Sequence, residues 1–412
     1  MDFKLNIPFH RPLIEKDDIA AVVETLESGW MTTGPAVKAL EQEFAGYVGA
    51  KHGVAVNSCT AAMHLALAGL DIGAGHEVIT SPYTFVATAE AIQYTGAKPV
   101  FADIREEDFN IDPCQISEIL AKDRSNVRAL LPVHIAGHPC DMRSLVKIAR
   151  ENDLSIVEDA AHCLEGWIYS PNHENSKTSG QAKIGTIGDA TCFSFYATKN
   201  MTSGEGGMVA TDSDDLAEKI RTLALHGMSR DAWKRYTAEG SWNYEIVTQG
   251  YKYNMPDILA ALARVQLKKV PDMYARRRKY ATLLREHLDD LDALIVPQEC
   301  LNSVHAWHLF IVRLCLDKLT ITRNQFIERL REHGIQTSVH FIPLHLQPYY
   351  RNKFNYRRGD FPVAEKVFDS VVSLPLYPAM TEEQITYLYD VVRETIEKHT
   401  VREKCFVPEE IA

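Results

Sequence analysis

The stretch "SFYATKNMTSGEGG" (residues 194–207) joins an apolar run to a loop with three glycines, and it contains one lysine, Lys199. The run "ATCFSFY" (190–196), which leads into it, is typical of a buried strand. In an α/β protein, ligands bind beyond the carboxyl ends of the strands. Partial burial there lowers the pKa of a lysine and lets its amine attack a carbonyl carbon. A single lysine in a loop is more often an exposed surface group, so other residues have to decide its role.

Strands and helices alternate along the chain from about residue 50 to residue 212. Seven short β-rich runs are separated mostly by amphipathic helical segments; the runs are "HGVAVNS" (52–58), "EVITS" (77–81), "KPVFADI" (98–104), "RALLPVH" (128–134), "LSIVEDA" (154–160), "ATCFSFY" (190–196) and "GGMVATD" (206–212). This alternation predicts an α/β fold with a mainly parallel seven-stranded sheet and helices on both faces.

A second pattern begins after "GYKYNMPDI" (250–258). A long helical segment starts near Met255, and we expect Pro271 to bend or interrupt it. Farther along, strand-like and helical segments alternate without the regular order of the first part. We therefore predict a large α/β domain over residues 1–255 and a smaller α+β C-terminal domain over residues 256–412.

Charge and composition exclude several classes of protein. The net charge of −11 argues against a nucleic-acid-binding protein, because such proteins need a basic surface to displace counterions. The sequence has no run of about 18 uncharged apolar residues, which predicts no membrane span. The N-terminal stretch lacks the features of a secretory signal, and the eight cysteines are scattered. We therefore expect a cytoplasmic protein with reduced thiols.

One short stretch contains residue types that bind metals. "PVHIAGHPCD" (132–141) includes His134, His138 and Cys140, and its Gly and Pro indicate a loop after a strand. A second ligand cluster at metal-binding spacing is missing from the sequence. We therefore predict no metal site.

An acidic pair ends another predicted strand. In "IVEDAAH" (156–162), Glu158 and Asp159 come at the carboxyl end of the apolar run. Acidic residues at this place often only cap the following helix. The functional alternative is that Asp159, one step farther out, stays ionised and holds a proton on the ring nitrogen of a cofactor, which makes that ring an electron sink.

Two further strand ends have features of a cofactor site. Ser58, Cys59 and Thr60 stand where a helix follows a strand, so backbone N–H groups and hydroxyls are available to an anion such as a phosphate. Tyr83 and Phe85 follow the next strand, where an aromatic ring can stack on a planar cofactor. Each feature alone is common in ordinary folds, but together with Lys199 they describe a pyridoxal phosphate (PLP) site.

The chain resembles fold-type-I PLP enzymes of the DegT/StrS nucleotide-sugar aminotransferase family. The resemblance extends over nearly the whole chain, in the stretches "GWMTTGP", "AVNSCTAAMHLAL", "EVITSPYTFVATA", "PVHIAGHPCDM", "VEDAAH", "SFYATKNMTSGEGGMVATD", "GYKYNMPDILAAL" and "GIQTSVHF". It implies that Lys199 forms the Schiff base with PLP and that Asp159 pairs with the pyridine nitrogen. It also implies that Ser194 binds the phosphate and that His162 lies beside the ring oxygen.

The same resemblance implies further cofactor contacts. Thr60 and Ala61 match the start of the phosphate-binding helix. Phe85 matches the stacking aromatic residue, with Tyr83 as the alternative.

Members of this family are dimers in which the neighbouring subunit completes each site. The family's asparagine in "GYNYRM", which reaches the phosphate, corresponds to Lys252 in "GYKYNM", so either Lys252 or Asn254 is expected to make this contact. His340, in "SVHF", matches a position that approaches the substrate from the partner subunit.

The resemblance also indicates the reaction. The stretches "GYKYN", "VHAWHLFIVR" and "HFIPLHLQPYY" look like the enzymes that make UDP-4-amino-4-deoxy-L-arabinose. This implies amino transfer from L-glutamate, which becomes 2-oxoglutarate, to a UDP-linked 4-keto sugar. In "SRDAWKRY" (229–236), Arg230, Lys234 and Arg235 are candidates for binding the substrate pyrophosphate.

Two other functions are possible on this scaffold. One is a PLP-dependent sugar dehydratase, but relatives with that activity have histidine in place of the lysine. The other is a regulatory protein that binds PLP or a sugar nucleotide without turnover. The presence of Lys199, Asp159 and the phosphate-binding residues argues against both.

Overall fold

The computed structural model describes residues 5–122, 125–169, 180–228, 245–300 and 302–401. The strands of this part are β1 (His52–Val56), β2 (Glu77–Thr80), β3 (Lys98–Phe101), β4 (Val127–Leu131), β5 (Ser155–Asp159), β6 (Trp167–Tyr169), β7 (Gln181–Lys183), β8 (Ala190–Ser194), β9 (Gly207–Thr211), β10 (Leu294–Ile295), β11 (Ser303–Val304), β12 (Phe310–Leu314) and β13 (Val371–Leu374). The helices are α1 (Lys16–Glu27), α2 (Pro35–Val48), α3 (Cys59–Gly69), α4 (Val86–Tyr94), α5 (Pro113–Leu120), α6 (Met142–Glu151), α7 (Asp214–Ala224), α8 (Asp257–Leu288), α9 (Arg323–Glu332), α10 (Pro348–Phe354), α11 (Pro362–Ser370) and α12 (Glu382–His399).

All seven predicted strands lie in one sheet, in the order β1-β9-β8-β5-β4-β2-β3. Strand β9 is antiparallel to both of its neighbours, and the other neighbouring pairs are parallel. The prediction of a mainly parallel seven-stranded sheet is therefore confirmed.

The sheet is buried on both faces, as its apolar strands require. Val54 and Val56 pack into the core on one face, whereas Ala55, between them, packs into the core on the other. Ile156 and Val157 are divided between the same two cores. This alternation follows from the two-residue period of a strand, and it leaves the carboxyl ends of the parallel strands as the place for a ligand.

The C-terminal part has its own core and a three-stranded antiparallel sheet in the order β10-β12-β13. Helices α9 and α12 begin at capping boxes, in which Thr322 and Thr381 accept hydrogen bonds from the backbone N–H three residues later. Their amphipathic pattern places Phe326 and Leu388 in this core. The smaller α+β unit that the sequence predicts is present.

Of the two alternatives at Pro271, interruption is wrong, because α8 is one helix of 32 residues that contains this proline, whereas a bend stays a prediction. Its neighbours Val270 and Met273 are buried in the core of the large sheet, and Leu284 farther along is buried in the C-terminal core. Burial of apolar side chains on both sides of the proline compensates for the hydrogen bond that its missing N–H cannot form. The domain boundary at residues 255 and 256 stays a prediction.

None of the helices in the described ranges is both long enough and apolar enough to cross a membrane.

Candidate active site

A cavity of about 650 Å³ lies at the carboxyl ends of the parallel strands. It is bounded by the starts of α3 and α4, the segments after β5 and β8, and part of the C-terminal unit. The predicted site residues that line it are Thr60, Phe85, Asp159, His162, Ser194, Lys199 and His340.

Lys199 lies in the turn that follows β8, where its backbone N–H donates to the carbonyl of Tyr196 at 2.9 Å. Burial lowers the pKa of Lys199 to about 8, although the nearby carboxylate of Asp159 acts in the opposite direction. At pH 7 roughly a tenth of this amine is therefore unprotonated, far more than for an ordinary lysine, as a nucleophile or general base requires.

The glycines after Lys199 allow the backbone to approach α3 closely. Gly204 has a φ of +83°, a conformation that favours glycine. A Cβ atom on Gly207 would lie 2.5 Å from the backbone carbonyl atoms of Ser58, just before α3. Any larger residue at position 207 would push the loop that follows Lys199 away from the start of this helix.

Asp159 is the last residue of β5, and its side chain is buried. Its Oδ2 accepts a hydrogen bond from the Thr88 hydroxyl at 2.8 Å, and its Oδ1 accepts one from the Ala161 N–H at 3.1 Å. Burial raises the pKa of Asp159, while these two hydrogen bonds and the charge of Lys199 lower it. A further positive group in the cavity would favour the ionised carboxylate.

The start of α3 provides backbone N–H groups for an anion. Ser58 caps this helix by accepting from the Ala61 N–H at 3.1 Å, whereas the N–H groups of Cys59 and Thr60 have no acceptor within the helix. Thr60 lines the cavity, but Ala61 does not, and its N–H is already bound. Ser194, at the end of β8, faces the same space.

His162 is buried between two other rings. The His308 ring lies 4.3 Å from it, centroid to centroid, and the Phe341 ring lies at 6.0 Å and nearly parallel to it. Burial holds the pKa of His162 well below its usual range, so the ring is neutral. Its Nδ1 has no hydrogen-bond partner among the described residues, and a buried polar atom of this kind is expected to bind a ligand.

The structure separates the two aromatic candidates for stacking. Phe85 is 60% exposed and lines the cavity. Tyr83 is fully buried and does not line the cavity, and its hydroxyl donates a hydrogen bond to the carbonyl of His340.

His340 lies in the cavity of its own chain, together with Lys199. Its Nδ1 is 2.8 Å from the hydroxyl of Ser373 in β13, and its ring stacks on Phe9 at 5.6 Å. The resemblance implied an approach from the partner subunit, and this detail is corrected. The physical reason is that backbone hydrogen bonds between Ser338 and Ser373 hold this loop against β13 of the same chain.

Other predicted residues lie elsewhere. The Nζ of Lys252 donates to Asn254 Oδ1 at 2.6 Å, and the amide of Asn254 donates to the Thr33 hydroxyl at 2.7 Å. Neither residue lines the cavity of its own chain. Arg230, like its alternatives Lys234 and Arg235, lies outside the described residues.

Sequence reasoning missed several residues of the site. Thr88 in the first turn of α4 fixes Asp159, and its hydroxyl also contacts the hydroxyl of Thr84, which precedes the helix. His10 lines the cavity and contacts the Ala197 carbonyl at 3.1 Å, and Asn200 contacts the His308 ring at 3.2 Å. No local pattern identifies His10 or His308, because tertiary contacts bring them to the cavity.

The chemistry of the cavity fits PLP. The amine of Lys199 suits its aldehyde, the Asp159 carboxylate suits a protonated ring nitrogen, and the start of α3 suits its phosphate. The unpaired Nδ1 of His162 is available to a polar group on the ring.

Comparison with known proteins agrees with this chemistry. Residues 12–393 match the DegT/DnrJ/EryC1/StrS aminotransferase family. The chain is 47% identical over 391 residues to the spore coat polysaccharide biosynthesis protein SpsC of Bacillus subtilis, covering 95% of this chain and 97% of SpsC. It is 48% identical to the uncharacterized protein MJ1066 of Methanocaldococcus jannaschii over 393 residues, covering 95% and 98% of the two chains.

Solved structures give the same result. The putative sugar aminotransferase Spr1654 of Streptococcus pneumoniae, in its pyridoxamine phosphate (PMP) form, superposes with a TM-score of 0.86 and 31% identity, covering 95% of this chain and all of that one. Its PLP form superposes with a TM-score of 0.85 at 30% identity, covering 96% and 99% of the two chains. The chain thus belongs to the DegT/DnrJ/EryC1/StrS aminotransferase family and is a PLP-dependent sugar aminotransferase.

Proposed function

We propose that the enzyme transfers the amino group of L-glutamate to the keto group of a sugar nucleotide, with a UDP-linked 4-keto sugar as the acceptor. The products are then a 4-amino sugar nucleotide and 2-oxoglutarate. The observation that supports this proposal most directly is the position of Lys199, beyond the end of β8 and within electrostatic reach of Asp159. The name of SpsC is consistent with an amino sugar that is used for a polysaccharide.

In this proposal the cofactor is held by residues from four strand ends. Lys199 binds its carbonyl carbon, Asp159 holds the proton on its ring nitrogen, and His162 lies beside its ring oxygen. Thr60 and Ser194 bind its phosphate, and Phe85 stacks on its ring. The predicted phosphate contact of Ala61 is not kept, because Ser58 already accepts from its N–H and Ala61 does not line the cavity. When bound, PLP supplies an electrophilic carbon and a ring that accepts negative charge from a carbon next to it.

Proton transfer is assigned to Lys199. A lysine with a pKa of about 8 can take a proton from the α-carbon of the donor and return it, because its charged and neutral forms are both populated near neutral pH. His340 faces the same cavity and is proposed to contact the substrate, as is Arg230. The donor leaves before the acceptor sugar enters, so the kinetics are expected to be ping-pong.

Two steps test this proposal. First, the PLP-loaded enzyme is mixed with L-glutamate alone, and the long-wavelength cofactor absorbance is expected to bleach as 2-oxoglutarate forms. Second, the bleached enzyme is offered UDP-, GDP- and dTDP-linked keto sugars, and the absorbance is expected to return with the UDP-linked 4-keto sugar. If another amino acid bleaches the cofactor and glutamate does not, the proposed donor is wrong. If the absorbance returns only with a different sugar, the proposed acceptor is wrong.

We further propose that the enzyme is a cytoplasmic homodimer with shared active sites. The Lys252 side chain is exposed and lies outside the cavity of its own chain, so a phosphate contact would have to be made to a second copy. Exposed apolar side chains near the N-terminus, including Ile19 at 58% and Met31 at 54%, offer a surface for that copy. Cell fractionation tests the location.

Mixed dimers test the shared site. Lys199→Ala and Lys252→Ala chains are each expected to be impaired. After co-refolding in equal amounts, half of the dimers are mixed and each has one complete site, so about a quarter of the wild-type activity should return. Recovery is expected only if Lys252 acts across the interface. If the mixture of Lys199→Ala with Lys252→Ala recovers no activity but a mixture of Lys199→Ala with Asn254→Ala does, the phosphate contact is assigned to Asn254.

A further inference from the structure

A second group of reactive side chains lies outside the cofactor cavity. Asp108 follows β3, His138 follows β4, and Cys300 precedes β11. One ligand atom from each of these three residues lies within 4.8 Å of the other two. All three, together with His305, line a separate cavity of about 470 Å³.

The fold holds two of the three groups rigidly and leaves the third accessible. Asp108 and His138 are each 5% exposed, whereas Cys300 is exposed. The backbone of His138 is fixed because its N–H donates to the Ile135 carbonyl at 2.8 Å and its carbonyl accepts from the Asn110 amide at 3.1 Å. Within the part of the chain that the structure describes, no group hydrogen-bonds to the ring nitrogens of His138. The ring is therefore free to bind an ion that enters from the side of Cys300.

Arg105 and Asn110 orient the carboxylate of Asp108. The Nε of Arg105 donates to Oδ1 at 3.3 Å, its Nη2 donates to Oδ2, and the Asn110 N–H donates to Oδ1 at 3.1 Å. Since a carboxylate has about four lone-pair positions, these contacts leave one for a metal ion. Outer partners of this kind commonly fix metal-binding carboxylates.

His305 cannot be a fourth ligand in its present hydrogen bonding. Its Nδ1 accepts from the Trp307 N–H at 2.8 Å, so the proton of the neutral ring is on Nε2. Its ring lies 5.1 Å from the His138 ring and forms part of the wall. Three protein ligands remain, and a fourth position is open to water.

We propose that Asp108, His138 and Cys300 bind one Zn²⁺ ion, with water as the fourth ligand. A combination of carboxylate oxygen, imidazole nitrogen and thiolate sulfur suits zinc, whereas Mg²⁺ and Ca²⁺ bind oxygen ligands. Bonds of about 2.0–2.3 Å in a tetrahedron separate the ligand atoms by roughly 3.5 Å, so the three groups have to close by at most about 1.3 Å. The Cys300 thiol releases its proton to solvent when the metal binds.

The zinc ion would connect the segment before β11 to the loops that follow β3 and β4. The carbonyl of Ala136, two residues before His138, accepts hydrogen bonds from the N–H groups of His308 and Leu309. The His308 ring in turn contacts the His162 ring in the cofactor cavity, at 4.3 Å between centroids. The metal is therefore assigned a structural role in holding the C-terminal unit against the large sheet.

Metal content tests this proposal directly. Untagged, PLP-loaded protein is treated with a chelator, desalted, mixed with an equimolar amount of Zn²⁺, desalted again and analysed by plasma mass spectrometry. We expect about one zinc per chain in the wild type and less than a tenth of that in Cys300→Ser and His138→Gln. Cys114→Ser, which removes another exposed cysteine, is the matched control and should retain the zinc. Equal zinc in the wild type and Cys300→Ser, or none in the wild type, would overturn the proposal.

Two further measurements keep the test decisive if a variant folds poorly. Co²⁺ bound to the wild type should show a thiolate charge-transfer absorption that Cys300→Ser lacks and Cys114→Ser retains. In the unmodified protein, zinc should slow the alkylation of Cys300 at least tenfold and leave that of Cys114 unchanged, as measured by peptide mass spectrometry. Equal alkylation of Cys300 with and without zinc would exclude the thiolate as a ligand.

Discussion

The cofactor cavity has two walls whose ionisable groups behave differently. The first, which we call the sheet wall, carries Lys199 and Asp159 at the ends of β8 and β5, where each charge affects the pKa of the other. The second, the histidine wall, carries His10, His308 and His340, whose pKa values are all lowered by burial and by nearby cations. One wall can therefore move protons near neutral pH, whereas the other offers neutral hydrogen-bonding rings.

This difference indicates that the two walls have different roles in the same site. Proton transfer and charge stabilisation belong to the sheet wall, and contacts that orient the ligand belong to the histidine wall. Substitutions in the sheet wall should therefore reduce turnover most, and substitutions elsewhere should change binding or stability. The following predictions test this distinction, starting with the largest expected effect.

Lys199→Ala should lower the rate of amino transfer by about 1,000-fold or more, because both the nucleophile and the general base are lost. The measurement is single-turnover formation of 2-oxoglutarate from L-glutamate by PLP-loaded protein. Lys219→Ala, which removes a surface lysine paired with Asp71, is the matched control and should keep full activity. Full turnover by Lys199→Ala without added amine would refute the assignment of Lys199.

Asp159→Asn should lower turnover by about 100-fold to 1,000-fold, because the neutral amide cannot hold a proton on the cofactor ring as the carboxylate does. Thr88→Val keeps the shape of the threonine but removes its hydrogen bond to Asp159, and a loss of roughly 10-fold is expected. Both are measured as kcat with L-glutamate and a keto sugar. A larger loss for Thr88→Val than for Asp159→Asn would contradict the order of these roles.

The histidine wall should make the cofactor-free protein sensitive to acid. Burial lowers the pKa of His10 and of His340 from 6.5 to about 4, so between these values the unfolded chain binds protons that the folded chain does not. The free energy of unfolding should therefore fall as the pH drops from about 6.5 to about 4. Each histidine contributes up to about 1.4 kcal/mol per pH unit.

Urea unfolding at several pH values measures this effect. His340→Gln should show a shallower pH dependence than the wild type, and a double variant that also carries His10→Gln should show the shallowest. Identical slopes for all three proteins would mean that these rings are not kept neutral by the fold.

The smallest effects should separate the two aromatic candidates. Phe85→Ala should weaken PLP binding by roughly 10-fold, because a stacking ring at the cavity surface is lost. Tyr83→Phe should leave PLP binding unchanged and lower the free energy of unfolding by about 1 kcal/mol, because the His340 carbonyl loses a hydrogen bond. Cofactor titration and urea unfolding of both variants make the comparison. Weaker PLP binding by Tyr83→Phe alone would reverse the assignment.

Much of the fold was accessible from the sequence by itself. The two-residue and 3.6-residue periods of apolar side chains depend on local backbone geometry, so they indicated the seven strands of the large sheet closely. The same patterns predicted that Lys199, Asp159 and Thr60 lie at strand or helix ends. Parallel strands bring such ends to one edge of a sheet. The sequence therefore determined the class of the fold and the chemistry of the sheet wall.

Only the tertiary structure decided the rest, because packing between distant segments leaves no periodic signal in the sequence. Burial on both sides of Pro271 keeps α8 continuous, and the pairing of residues 338 and 373 brings His340 into its own chain's cavity. In the same way, the two histidines of residues 132–141 contact different groups: His134 pairs with Glu158 at 3.0 Å. His138 instead lies close to Asp108 and Cys300, which belong to loops that are distant in the sequence. Only the path of the folded chain brings these three residues together.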